Sequence, residues 1–422
     1  MLKKVVRIFK DKELRSKIIY VAVMLVIFRI LSHIPIPIVD YVKLNEFFKG
    51  NQLFGFLSLF TGGGMSNFSL VMLGVGPYIT ASIIMQLLTM IFPNIKEIYQ
   101  ESGEEGRQKF NQYTRYATVP LAALQGFGMI TLLKSQGIVV SLDSFSMAVA
   151  VSIIVAGTVL LMWIGELISE KKIGNGISLI IFAGIVSGIP TVAQQTVSTI
   201  EGKTLEVVTM LLLSLIVVVG VVIITEAQRN IPVSYARRIR GSKTYGGVST
   251  FLPLRVNSAG MIPIIFAMSL ILFPGIIASF LVANPNASIA NGAIFVRDLF
   301  QNQTFYGALY FILVFLFTFF YTSIVFDPKN VAENLQKHGG FVPGIRPGNS
   351  TAEYLGKVLS RITFVGATFL GLIAVLPFIA QAMTNVTTMA IGGASVLIVV
   401  GVVLDSIRQI DSQLTMREYD EI

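Results

Sequence analysis

The residues able to do covalent or redox chemistry are few and scattered. There are two histidines, His33 and His338, and no cysteine, which excludes disulfides, thiolate nucleophiles and cysteine metal sites. The histidines lie far apart and, on the topology derived below, on opposite sides of a bilayer, so they share no site. Gly202-Lys203-Thr204 has the ending of a phosphate-binding loop, but that motif needs a glycine five positions earlier, and Val197 stands there. Arg29 is the one clear charge inside an apolar stretch, where ionisable groups usually mark ion or proton pathways. Glu166 and Glu226 fall near the ends of their stretches, and no Asp or Glu series supplies the oxygen ligands of a proton- or sodium-coupled pump. Arg29 is therefore expected to be satisfied by neighbouring carbonyls or a partner helix. No catalytic set, metal site or cofactor site can be assembled. Energy, if used, comes from a partner.

What remains is chemistry of recognition. The tract Gly344-Ile345-Arg346-Pro347-Gly348 displays a cation in a rigid Pro/Gly turn, and Arg237, Arg238 and Arg240 form a second basic cluster. Both lie in polar stretches of an otherwise apolar chain. Of 422 residues, 54% are hydrophobic and 13% charged, where globular domains carry about 25% charged residues. Most of the surface cannot face water.

The elements that must position these groups are membrane spans. A helix needs roughly 20 apolar residues to cross a bilayer core, and lipid leaves no backbone group unsatisfied, so the spans are helices. Ten are predicted, at about 18–38, 69–92, 116–134, 145–168, 177–197, 207–226, 257–281, 305–326, 361–380 and 388–405. The basic stretch before the first span lacks a small-residue cleavage site and does not read as a cleavable signal. With the amino terminus inside, 25 Lys and Arg fall on inside segments and 5 on outside ones. By the positive-inside rule both termini are cytoplasmic, and the net charge of +9 reflects orientation rather than nucleic-acid binding. Two inside loops, 227–256 and 327–360, are long enough to form a partner surface.

The fold class is an all-α polytopic membrane protein. Five spans precede the loop at 198–206 and five follow, so the halves 1–197 and 198–422 have opposite orientation and any repeat relating them is inverted, a plan transporters use. One segment breaks the pattern. Residues 52–66 (QLFGFLSLFTGGGMS) are apolar yet too short to cross. They form either a re-entrant element, which survives at membrane depth only inside protein or a water-filled cavity, or an amphipathic helix on the outer face.

Several strings then carry a resemblance. FRILSHIPIPIVD at 28–40, GGGMSNFSLVMLGVGPYITASIIMQLL at 62–88, GNGISLIIFAGIVSGIP at 174–190, LPLRVNSAGMIPIIFA at 252–267, DPKNVAENLQKHGGFVPGIRPG at 327–348 and GGASVLIVVGVVLD at 392–405 resemble the SecY family of protein-conducting channel subunits. The resemblance covers nearly the whole chain, and the strings are specific together where each alone is weak.

The resemblance implies that residues about 52–66 are the plug that closes the pore, with Gly62, Gly63 and Gly64 as its hinge. It implies an apolar pore ring at Ile79, Ile83, Ile181, Ile185, Ile265 and Ile398. The two pairs spaced by four each share a helical face, and a ring of branched apolar side chains stops ions by dewetting. It further implies a lateral gate with a polar cluster of Thr89, Gln125 and Asn257, through which apolar segments leave into lipid. The loops would dock a SecA motor ATPase or a ribosome through Arg346 and through Arg237, Arg238 and Arg240. Companion membrane subunits like SecE and SecG are implied, with signal sequences and unfolded polypeptide as substrates and a bacterial cytoplasmic membrane as location. The rival reading is an ion-coupled secondary transporter, which requires a charged or cation-binding site near the midplane.

Overall fold

The computed structural model describes residues 11–50, 58, 61–100, 103–139, 143–199, 204–235, 238–240, 243–245, 249–281, 286–384 and 392–420. Each of the ten predicted spans overlaps a helix. These are α1 (Lys12–Leu31), α3 (Gly76–Ile91), α5 (Gly103–Ser135), α6 (Ser144–Glu170), α7 (Gly176–Thr199), α8 (Thr204–Glu226), α9 (Ile262–Leu281), α11 (Gln303–Val325), α13 (Asn349–Thr384) and α14 (Gly392–Asp420). Among the described residues, four helices are apolar and long enough to cross a membrane alone, and α3 with α4 (Pro93–Gln100) forms a further pair bent by 115°. Shorter helices are α2 (Tyr41–Gly50), α10 (Ala287–Gln301) and α12 (Pro328–Lys337).

Helix ends follow local chemistry. The Asp11 carboxylate accepts from the amides of Glu13 and Leu14 at 2.9 and 3.1 Å and starts α1, as a helix needs for its orphan N–H groups. Asp143 does the same for α6 through Ser146, and that bonding holds its carboxyl below the usual carboxylate range. Asp327 caps α12, with Pro328 in its first turn. Glycines let backbones approach closely. A Cβ on Gly157 of α6 would collide with the Leu70 carbonyl, and one on Gly176 with that of Gly165, which seats α7 against α6. Small residues at such crossings are how membrane helices pack without a hydrophobic driving force between them.

The chain clusters into two compact units. The first comprises Met1–Thr204, Met268–Gln303 and Val402–Ile422, the second Leu205–Ala267 and Thr304–Gly401. In the first unit, Ile36, Phe68, Met72, Ile130, Leu133 and Ile154 belong to one buried cluster joining the α1–α2 connection, the turns before α3, and α5 with α6. Ile36 N–H donates to the Phe68 carbonyl and Leu70 N–H to that of Ile34, so the turns before α3 are tied to the chain leaving α1.

In the second unit the two long polar loops are not merely loops. β1 (Gln228–Tyr235), β2 (Arg238–Arg240), β3 (Lys243–Tyr245), β4 (Ser249–Arg255) and β5 (Gly340–Phe341) form a three-stranded sheet ordered β4-β1-β5 and a two-stranded one, β2-β3. β1 pairs antiparallel with β4 from Gln228↔Arg255 to Ser234↔Ser249, and with β5 through Ser234↔Phe341 and Tyr235↔Gly340. The all-helical expectation therefore holds for the spans and gives way to sheet in the connecting platform. Water satisfies strand edges there as it cannot inside lipid.

Candidate functional site

The segment expected to close a pore lies largely outside the described residues, but its end is defined. Ser58 is helical and buried. Gly62 and Gly63 adopt φ of +65° and +81°, left-handed geometry that glycine takes without steric cost. Gly62 is wedged between helices, since a Cβ there would sit 3.0 Å from the Gly184 Cα of α7 and from the Phe28 ring of α1. A Cβ on Gly64 would meet the carbonyls of Val71 and Thr61 at 3.0 and 3.1 Å. The Arg29 guanidinium donates to the Gly62 carbonyl and reaches the Ser32 hydroxyl at 3.5 Å. The lone mid-span charge is thus satisfied by a neighbouring carbonyl, as expected from the cost of leaving it bare.

Of the six isoleucines expected to form a ring, five are buried (Ile83, Ile181, Ile185, Ile265 and Ile398) and Ile79 is half-buried. Ile79 and Ile83 lie on α3, Ile181 and Ile185 on α7 (first unit), and Ile265 on α9 and Ile398 on α14 (second unit). Gly184, which backs Gly62, immediately precedes Ile185. The glycine turn therefore packs on the stretch of α7 that carries Ile181 and Ile185.

Of the polar trio, Thr89 is buried on α3 and spends its hydroxyl on the Gln86 carbonyl at 2.6 Å. Gln125 is half-buried on α5. Asn257 is 7% exposed, and its Oδ1 is buried without a hydrogen-bond partner, a state that costs free energy unless a partner arrives.

The candidate docking residues divide. Arg237 lies outside the described residues. Arg238 and Arg240 occupy strand β2. Arg346 is exposed on a turn between β5 and α13, with its carbonyl accepting from the Thr351 hydroxyl at 2.8 Å. Gly344 and Gly348 flank it at φ +82° and +93°. Beneath this turn Val342, Ile231, Leu254 and Leu355 form a small core, with Val331, Ile345 and Tyr354 packed on it. The two loops thus make one platform that presents Arg346. Sequence reading missed this joint, although the alternation of buried Ile231 and Val233 with exposed neighbours, followed by a glycine-rich stretch and a second such run, is a hairpin signal.

The remaining candidates are structural. His33 bonds through Nδ1 to the Arg29 carbonyl at 2.9 Å, just beyond the end of α1. His338 caps α12 and bonds to the Asn334 carbonyl at 2.7 Å. Lys203 of the false phosphate loop lies outside the described residues. Glu166 accepts from Arg115 Nε at 2.6 Å across α5 and α6, an ion pair that no local spacing announces.

Comparison with known proteins matches this arrangement. The SecY family model matches residues 69–407. Curated proteins named protein translocase subunit SecY are similar over the full length: that of Streptomyces galbus is 41% identical, covering 100% of this chain and 99% of that protein. That of Thermotoga maritima is 42% identical, covering 98% and 95%. Among solved structures, a protein-conducting channel superimposes with a TM-score of 0.65 at 20% identity, covering 93% of this chain and 90% of that one. A SecY structure described for its plug domain gives 0.65 at 21% identity, covering 93% and 91%. The structural likeness establishes the fold, and the full-length identity to curated relatives establishes the lineage: the chain belongs to the SecY family of protein translocase subunits.

Proposed function

We propose that the chain forms a pore that passes unfolded secretory polypeptide outward and releases apolar segments sideways into lipid. Ile79, Ile83, Ile181, Ile185, Ile265 and Ile398 are its ring, and residues about 52–66 its plug. The observation that supports this reading is the seat of Gly62 against Gly184 of α7, the helix that also carries Ile181 and Ile185. A ring of branched apolar groups blocks ions by dewetting when narrow. It demands no specific hydrogen bond, so it fits around any passing sequence.

Thr89, Gln125 and Asn257 are the polar contacts of the lateral gate. Thr89 is bonded within its own helix and Asn257 Oδ1 has no partner among the described residues, so an interhelical bond, worth about 0.6–2 kcal/mol, is one the gate makes on moving. Gly62, Gly63 and Gly64 are the plug hinge. Arg346, with Arg237, Arg238 and Arg240, docks a SecA-type motor or a ribosome through acidic or phosphate groups. Companion subunits like SecE and SecG complete the complex, the halves divide at 1–197 and 198–422, and both termini face the bacterial cytoplasm. Structures of Sec61 in a ribosome-channel complex, with a TM-score of 0.62, support the ribosome as one partner.

Crosslinking tests this. In a chain without native cysteine, a single cysteine is placed at Ile83, Ile265 or Ile398 and a secretory precursor with its own cysteine is stalled midway. Disulfides from all three positions, absent from lipid-facing controls, are the expected outcome. Their absence at every position returns the chain to a docking or transporting role.

A further inference from the structure

The contact between Arg29 and the glycine turn has a consequence that reaches beyond satisfying a charge. Arg29 is half-buried on α1, and its guanidinium donates to the carbonyl of Gly62. The same turn is held by short internal bonds, Gly63 N–H to the Ser58 carbonyl at 2.7 Å and Ser69 N–H to that of Gly64 at 2.8 Å. Those bonds move with the turn. The bond from Arg29 does not, because it links the turn to a different element. Ser32 and His33 brace the same end of α1: Ser32 Oγ donates to the Arg29 carbonyl at 2.8 Å, and His33 Nδ1 bonds to the same carbonyl at 2.9 Å. The Gly62 backbone is meanwhile packed on Gly184 of α7 and Phe28 of α1, and the guanidinium ties the turn to α1.

We propose that Arg29 is a latch: a positioning residue whose hydrogen bond to Gly62 holds the glycine turn at the end of the closing segment in the idle state and is broken when a polypeptide enters. The proposal rests on reading residues 52–66 as the plug. A charged donor suits the role. Its bond to a carbonyl is stronger than a neutral one, and water admitted by an opening pore competes for both partners and weakens it. The latch is therefore strong when the pore is dry and weak once it is wet, which makes release cooperative with opening. Loss of one hydrogen bond to a charged group shifts a two-state equilibrium by about tenfold or more.

The test uses the full translocase in proteoliposomes, with Arg29→Met, Arg29→Lys and the parent chain each carrying Ser58→Cys as the sole cysteine. Two quantities are read without substrate: ion leak, and labelling of position 58 by a membrane-impermeant thiol reagent. Arg29→Met is expected to raise both about tenfold at unchanged abundance, and Arg29→Lys, which keeps a cationic donor, to restore part of the seal. Parental leak and labelling in Arg29→Met overturn the proposal. Should Arg29→Met fail to accumulate, Gly62→Ala decides. It keeps the arginine, but its Cβ meets Gly184 and Phe28 and displaces the carbonyl, so a tight idle channel in Gly62→Ala also overturns the latch. Deletion of 52–66 separates the two readings. A leak on deletion with none in Arg29→Met sinks the latch alone, whereas a tight channel on deletion sinks the plug.

Discussion

At the residue scale, single groups are decided by what surrounds them. Gly157 packs on the Leu70 carbonyl so closely that a methyl group has no room. Gly157→Val must push α6 off the turns before α3, at about 1–3 kcal/mol for overpacking. The expected outcome is a lower melting temperature of the detergent-solubilised protein, and an unchanged one would mean that the helix gives way freely. Asn257 makes the opposite prediction. Its buried, partnerless Oδ1 costs stability in the idle state, so Asn257→Leu should raise the melting temperature by roughly the equivalent of 1 kcal/mol. If the amide serves a gate, the same change alters how strictly translocation depends on a signal sequence. A destabilised variant with normal stringency would mark the amide as ordinary packing. Arg29 shows how far sequence reaches at this scale. The expectation that a carbonyl satisfies it was legible from the cost of a bare charge in lipid. Which carbonyl was not, because Gly62 and Arg29 meet only through the chain's return.

At the scale of elements, a helix at each of the ten predicted spans was legible because hydrocarbon imposes length and apolarity on any helix that crosses it. Their ends were less so. The span expected from 361 begins at Asn349, and the one expected to end near 405 continues to Asp420, since helices run on into water where composition no longer marks them. The span expected from 69 begins only at Gly76. Residues 61–75 form turns instead, with Gly62, Gly63 and Gly74 at positive φ. The platform is the larger surprise. β1 joins loop 227–256 to loop 327–360 through β5, over the core of Ile231, Leu254, Val342 and Leu355. Val342 is 3% exposed, so Val342→Asp puts a charge into that core and removes roughly 2–4 kcal/mol of local stability. Motor-driven transport and ribosome binding should fall about tenfold or more while the idle channel stays ion-tight. Loss of tightness as well would mean that the platform is part of the seal.

At the scale of the whole molecule, charge sets orientation. The excess of basic residues on one side, 25 against 5, predicts that single cysteines at Ser249 and Lys337 are shielded from an impermeant thiol reagent in intact cells. Cysteines at Ser144 and Ser288 should be labelled. Labelling measured before and after permeabilisation checks this, and the reverse pattern would invert the protein in the membrane and with it the direction of transport.

The sequence alone determined that the chain is a polytopic helical membrane protein and which family it resembles. Those properties follow from composition, from the length of apolar runs and from local strings, none of which requires knowing what touches what. The tertiary structure decided that Arg29 meets Gly62, that Gly62 rests on Gly184 beside two isoleucines, and that two separate loops share one sheet. Each of these joins residues remote in the chain, where pairing is set by close packing and by unsatisfied backbone groups finding partners. Local patterns carry no record of such partners.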